Sequence, residues 1–179
     1  MKANSRKDNI ILIGMPSCGK STVGVVLAKA LGYRFVDSDL VIQERTGKLL
    51  SEIIDEQGLE YFNQIENEIN ASLDYHKAVI ATGGSVIYGR EAMEHLRSIG
   101  QVVYLKLSYE TLCERIGDLT ARGVSIKEGQ SFRDLFEERK PLYEKYAEIT
   151  IDAEHLSIRE VVHLLKDKIC LHFDTDVVN

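Results

Sequence analysis

Positive charge is in short supply in this sequence. Its 22 lysines and arginines face 28 aspartates and glutamates, for a formal net charge of −6. A general nucleic-acid binder needs a basic face to displace phosphate counterions, and an anionic bilayer attracts basic segments. The expectation is therefore a chain with no nucleic-acid and no membrane partner. Long apolar runs are missing as well: none approaches the roughly 18 residues of a membrane span. The opening stretch Met1–Asp8 is charged. The apolar run behind it, Ile10–Ile13, is short and leads into a glycine-bearing loop, unlike a secretory signal. Cysteine is scarce and odd in number. Cys18, Cys113 and Cys170 share no metal-type spacing and read as reduced thiols in the cytoplasm. With only two prolines, Pro16 and Pro141, and no repeat or low-complexity segment, nothing marks a boundary, and residues 1–179 are expected to form one domain.

What the sequence does have is 44% hydrophobic residues in a regular arrangement. Short β-branched runs alternate with amphipathic stretches, the pattern of a parallel sheet covered by helices on both faces. Strands are predicted at Ile10–Ile13, Tyr33–Val36, Ala78–Ala81, Val102–Leu105 and Glu148–Ile151. Helices are predicted at Ser21–Leu31, Asp39–Arg45, Ser51–Glu56, Leu59–Tyr75, Glu91–Ile99 and Tyr109–Ile116. The helix from Glu91 is expected to stop at Gly100. Ser131-Phe132-Arg133-Asp134 and Ser157-Ile158-Arg159-Glu160 are capping boxes that open the last two helices. The stretch from Gly117 to Gly129 is polar and glycine-punctuated and reads as a loop.

The strongest chemical signal is Gly14-Met15-Pro16-Ser17-Cys18-Gly19-Lys20-Ser21, which fits G-x-x-x-x-G-K-[ST] between a buried strand and a helix. Such a loop curls backbone N–H groups around phosphate oxygens, and the following helix points its positive end at the same charge. ATP with Mg²⁺ is the expected ligand. Gly14, Ser17, Cys18, Gly19, Lys20, Ser21 and Thr22 form its phosphate cradle, Lys20 reaches the β/γ-phosphates, and the Ser21 hydroxyl ligates the metal. Cys18 reads either as a small filler or as a reactive thiol at a helix N-terminus.

Three weaker signals follow. Asp37-Ser38-Asp39 ends the second strand, where open α/β sheets bind ligands. Asp37 suits a Mg²⁺ site. Asp39 is either a base or orienter for an attacking hydroxyl or simply a helix N-cap. Thr82-Gly83-Gly84-Ser85 ends the third strand and is either a tight turn or a place where a ligand comes close to backbone. Arg115, Arg122 and Arg139 lie beyond the fourth strand. Each is either a solvated surface charge or a cation for the transferring phosphoryl group.

In combination these motifs resemble the shikimate kinase family from about Asn9 to Ile169. The resemblance rests on Gly14–Ser21, Phe35-Val36-Asp37-Ser38-Asp39, Glu44-Arg45-Thr46-Gly47 and Phe62-x-x-x-Glu66. It continues through Thr82-Gly83-Gly84, Arg115 with Arg122, and Arg139-Lys140-Pro141-Leu142-Tyr143. It implies a three-layer αβα P-loop kinase with a five-stranded parallel sheet, similar to the nucleoside monophosphate kinases. It also implies a helical substrate-binding segment near residues 38–66 and a lid near 117–128. The implied activity is ATP-dependent phosphorylation of shikimate or a similar small hydroxylated acceptor, by a cytoplasmic monomer. Carried over by position, Asp39 holds the acceptor hydroxyls, Arg139 its carboxylate, and Gly83 and Gly84 line the pocket. Arg122 closes over the phosphates, Arg115 lies against the adenine, and Asp37 sits in the outer shell of Mg²⁺.

The acceptor half departs from the family pattern. Asn63 stands where the family carries a second carboxylate-gripping arginine, Ser85 replaces a third glycine, Ser17 replaces a glycine, and Gly123-Val124 replace proline and leucine. A charge-assisted hydrogen bond contributes about 1.5–3 kcal/mol, so Asn63 is expected to weaken a carboxylate grip by roughly 10- to 150-fold. A less anionic acceptor is the alternative, and a nucleotide-binding module without catalysis is the second.

Overall fold

The computed structural model describes residues 7–116 and 124–173. Five strands, β1 (Asn9–Ile13), β2 (Arg34–Asp37), β3 (Ala78–Ala81), β4 (Gly100–Lys106) and β5 (Ile149–Asp152), form one sheet in the order β2-β3-β1-β4-β5. Every pairing is parallel. Strands β1 and β3 are buried at every position, which requires cover on both faces and explains their unbroken apolar sequences. Helix α1 (Lys20–Leu31) packs on β2 and β3 and against α8 (Ile158–Phe173). On β4 lie α5 (Arg90–Ile99) and α7 (Phe132–Tyr146). The helices α2 (Ser38–Thr46), α3 (Leu50–Gln57) and α4 (Leu59–Ala71) sit between β2 and β3, and α6 (Tyr109–Arg115) follows β4. The expected parallel three-layer architecture is what the chain adopts. Among the described residues, no helix is long and apolar enough to cross a membrane.

The strand order reverses at β1, whose neighbours are β3 and β4. Ligands of open α/β sheets bind beyond the carboxyl ends of the strands at such a switch point. The glycine loop leaves β1 there, and Asp37 and Thr82-Gly83-Gly84 leave β2 and β3 beside it.

One predicted helix is cut short and one turn is unpredicted. The helix from Leu59 stops at Ala71 instead of Tyr75. Its apolar continuation, with Leu73 in the core, is not helical, because the Tyr75 carbonyl accepts from the fully buried Asn9 amide at 2.6 Å. The same amide nitrogen donates to the Ile99 carbonyl, and its oxygen accepts from the Ala78 N–H, so one side chain ties three segments at the base of the sheet. As expected, the helix that holds Glu91 ends at Gly100, whose extended backbone begins β4. A 3₁₀ turn at Val86–Tyr88, unpredicted, follows the glycine pair. Both capping boxes form, Ser131 with Asp134 and Ser157 with Glu160.

Candidate active site

A cleft of about 440 Å³ opens at the switch point. One wall is the glycine loop. Gly19 has φ +99° and hands the chain to α1 at Lys20, while Ser17 holds a left-handed φ of +66°, a conformation that suits the glycine its position commonly carries. Ser17, Gly19, Lys20, Ser21 and Thr22 all line the cleft. Lys20 is mostly buried, with its ammonium folded across the loop to donate to the Gly14 carbonyl at 2.8 Å and the Met15 carbonyl at 2.9 Å. Gly14 and Cys18 lie behind the loop and do not face the cleft. The Cys18 thiol is buried against Gly14, which supports the filler reading over the reactive one.

The Ser21 hydroxyl donates to Asp37 Oδ2 at 2.8 Å. These are the hard oxygen donors that Mg²⁺ takes alongside phosphate, so the residues present fit the ion. Asp37 itself is the N-cap of α2, its Oδ1 accepting from the Asp39 N–H at 3.0 Å. The N-cap alternative for Asp39 is therefore corrected: the cap is two residues earlier, which leaves the Asp39 carboxylate free to face the cleft.

Asp39 meets a second carboxyl, that of Glu66 on α4. A Cβ placed on Gly83 would collide with Glu66 Oε1 and lie 2.7 Å from Asp39 Oδ1. Position 83 must be glycine for the turn to pass so close to both carboxyls. Burial chiefly, then repulsion from Asp37, pushes Asp39 up to about 6 against the pull of Lys20. Burial and the Asp39 charge push Glu66 up to about 8, against the Ser85 hydrogen bond, Arg139 and Lys20. The folded state therefore binds a proton at Glu66 that the unfolded chain has released. Stability is expected to fall as pH rises from about 5 to 8, and Glu66→Gln flattens that fall. Urea-unfolding midpoints at pH 5, 6.5 and 8 check this.

At the far end stands Arg139, fully buried on α7. Its Nη2 donates to the Ser125 carbonyl, its Nε donates to the Tyr88 hydroxyl at 3.3 Å, and the guanidinium lies 5.3 Å from the Tyr88 ring centre. Gly84 lets Nη1 approach, since a Cβ there would sit 3.0 Å from it. Arg115 ends α6 and lines the cleft. Asn63 does not line it; the Ser125 hydroxyl donates to Asn63 Oδ1 at 3.0 Å, so the predicted acceptor residue serves as a partner for the cleft wall. Arg122, and with it most of the predicted lid, lies outside the described residues.

Leu50, Ser85, Val124 and Ser125 also line the cleft, and no local sequence pattern marks any of them for binding. Ser85 was visible only as a departure from a glycine. Ser125 had no local signal, because its partners lie 62 and 14 residues away.

Adding a side chain at Gly83 tests the close approach. Gly83→Ala is expected to raise the acceptor KM at least about tenfold by displacing Asp39 and Glu66, with the ATP KM within twofold. Initial rates over a matrix of both substrates separate the two effects.

The family model for shikimate kinase matches residues 16–170 of this chain. The shikimate kinase of Thiobacillus denitrificans is 35% identical over 171 residues, 93% of this chain and 93% of that one. That of Thermodesulfovibrio yellowstonii is 40% identical over 156 residues, 86% and 90% of the two chains. Among solved structures, shikimate kinase from Acinetobacter baumannii in complex with shikimate superposes with a TM-score of 0.78. It is 29% identical over 96% of this chain and 97% of that chain.

Proposed function

This chain belongs to the shikimate kinase family, ATP-dependent kinases that work with Mg²⁺, and we propose that it transfers the γ-phosphoryl group of ATP to shikimate, giving ADP and shikimate 3-phosphate. The observation that carries the reading is the meeting of Lys20 and Asp39 in one cleft, a phosphate-binding ammonium and a carboxylate facing the same space. The phosphate cradle is Ser17 and Gly19–Thr22, with Gly14 and Cys18 behind it and Arg115 toward the nucleotide base. Ser21 and Asp37 would hold Mg²⁺, which when bound neutralises charge on the phosphate oxygens. Asp39 accepts the hydrogen bond of the attacking hydroxyl and aims its oxygen at phosphorus. Lys20 swings from the loop carbonyls to the transferring group, where it offsets charge that builds in the transition state. Arg139 holds the acceptor carboxylate, and Gly83 and Gly84 line the pocket. One P-loop kinase domain carries both substrates, with residues 38–66 as its acceptor-binding segment. We propose further that it works as a cytoplasmic monomer.

A second reading has one specific observation behind it. Two of the Arg139 nitrogens already donate to Tyr88 and Ser125, and Asn63 is neutral. That favours an acceptor less anionic than shikimate at this end. Rates with shikimate and with its uncharged carboxamide, for the wild type beside Asn63→Arg, separate the two. Efficient use of shikimate by the wild type supports the first reading. A wild-type preference for the carboxamide that Asn63→Arg reverses supports the second.

A further inference from the structure

Helix α6 is seven residues long, and Leu112 is its one buried residue. Arg115, its last residue, is exposed and lines the cleft. Burial therefore does little to set the direction of this helix, and two tethers at its first turn take that role. One is aromatic. The Tyr109 ring stacks on Phe132 and meets Phe136 edge-on, both with ring centres 5.7 Å apart, and the Arg133 guanidinium lies 3.9 Å from its centre. These three partners belong to α7. The other tether is Glu154, just beyond β5. The register Lys106↔Asp152 brings Ser108 and Glu154, each two residues further on, alongside one another. Glu154 Oε2 accepts from the Ser108 N–H at 2.8 Å, and Oε1 accepts from the Thr111 hydroxyl. Those donors, the Ser108 N–H first, hold the Glu154 carboxyl below the usual carboxylate range. The turn that presents Glu154 is itself tied down. Asp152 Oδ1 accepts the Glu154 N–H at 3.1 Å, and the Leu156 N–H donates to the Ala153 carbonyl at 3.2 Å. His155 holds a left-handed φ of +59°, which a non-glycine residue keeps only where its surroundings enforce it.

We propose that Glu154 is a positioning residue for nucleotide binding: it fixes the first turn of α6 and so aims Arg115 across the nucleotide end of the cleft. The proposal rests on the reading of Arg115 as a nucleotide-facing cation and adds the residue that places it. A helix of seven residues spans about 10 Å, so a tilt of roughly 10° at its start moves its end by about 2 Å. That is enough to carry a guanidinium off the face of a base, where the cation–π attraction is short-ranged. Glu154 resists such a tilt because it holds two points of the turn at once, a backbone N–H at Ser108 and a side chain at Thr111. Ser108 adds a local cap by accepting the Thr111 N–H at 3.2 Å, but that bond lies within the turn and moves with it. Glu154 ties the same turn to the end of the sheet.

The experiment is calorimetric titration with MgADP, which needs no acceptor and so does not depend on the identity of the phosphorylated substrate. Arg115→Ala is expected to weaken MgADP about 5- to 20-fold. Glu154→Ala weakens it about 3- to 10-fold, and adds less than about twofold in the Arg115→Ala background, because both changes act through one guanidinium. Glu154→Gln keeps the length and one accepting oxygen, and returns the affinity to within about twofold of wild type. Thr111→Val removes one donor, leaves Glu154 in place and costs about threefold, which keeps the test open should Glu154→Ala not fold. An Arg115→Ala variant that binds MgADP like the wild type overturns the reading of Arg115, and the proposal falls with it. A loss in Arg115→Ala with wild-type affinity in Glu154→Ala and Thr111→Val overturns the proposal alone. So does a Glu154→Ala loss that is just as large in the Arg115→Ala background, which makes Glu154 a support of the whole fold instead of an aim for one side chain.

Discussion

Lys20→Ala is expected to lower kcat by at least about 10²–10³-fold. The lysine is the one cation that the glycine loop itself supplies. Its ammonium makes two bonds to loop carbonyls in the structure, both of which it can exchange for phosphate oxygens without moving the backbone. Because it is nearly buried, its charge acts through protein and little water, where it counts most against charge developing on the transferring group. Truncation also leaves the Gly14 and Met15 carbonyls without this donor, so loop stability needs its own control. Lys20→Met, which keeps the packing, should lose as much activity while keeping its melting temperature within a few degrees. Single-turnover measurements then place the loss in the chemical step. A kcat within tenfold of wild type would mean that another cation serves the transferring group.

Asp39→Asn is the second large effect. General acid–base or orienting carboxylates contribute about 10²–10⁴-fold, and acceptor-dependent turnover is expected to fall by that factor. The asparagine keeps size and shape, and the α2 cap survives because it belongs to Asp37 and uses the Asp39 backbone only. The ATP KM should therefore stay within about twofold, and slow acceptor-independent hydrolysis of ATP should persist. Isothermal titration of the variant with nucleotide, beside coupled-assay rates with acceptor, separates the two halves of the site. Near-wild-type acceptor turnover would move the orienting role to Glu66, the neighbouring carboxyl.

The sheet was legible because its strands are buried on both faces and so read as unbroken apolar runs. Ile10–Ile13 and Ala78–Ala81 are the clearest. The phosphate loop was legible because its chemistry is local: glycine at 19, lysine at 20 and a hydroxyl at 21 work as consecutive residues. The acceptor pocket is different in kind. Asp39, Glu66, Gly83, Ser125 and Arg139 come from five separate segments, and their meaning lies in distances that no local pattern encodes. Asn63 reads in the sequence as a missing ligand, whereas in the structure it stands behind the cleft wall and accepts from the Ser125 hydroxyl across 62 positions. The over-long helix at Leu59–Tyr75 failed for a similar reason. Leu73 keeps the apolar periodicity, but a distant asparagine claims the Tyr75 carbonyl.

On the proposed function, the nucleotide half and the acceptor half of this cleft act together on shikimate. The most direct measurement is ADP release from MgATP with increasing shikimate, followed in parallel by phosphorus NMR. Release is expected to saturate and to depend on shikimate, with one phosphomonoester of shikimate formed per ADP and no free phosphate beyond a slow background. ADP formed at the same slow rate with and without shikimate, and only free phosphate in the spectrum, would contradict it.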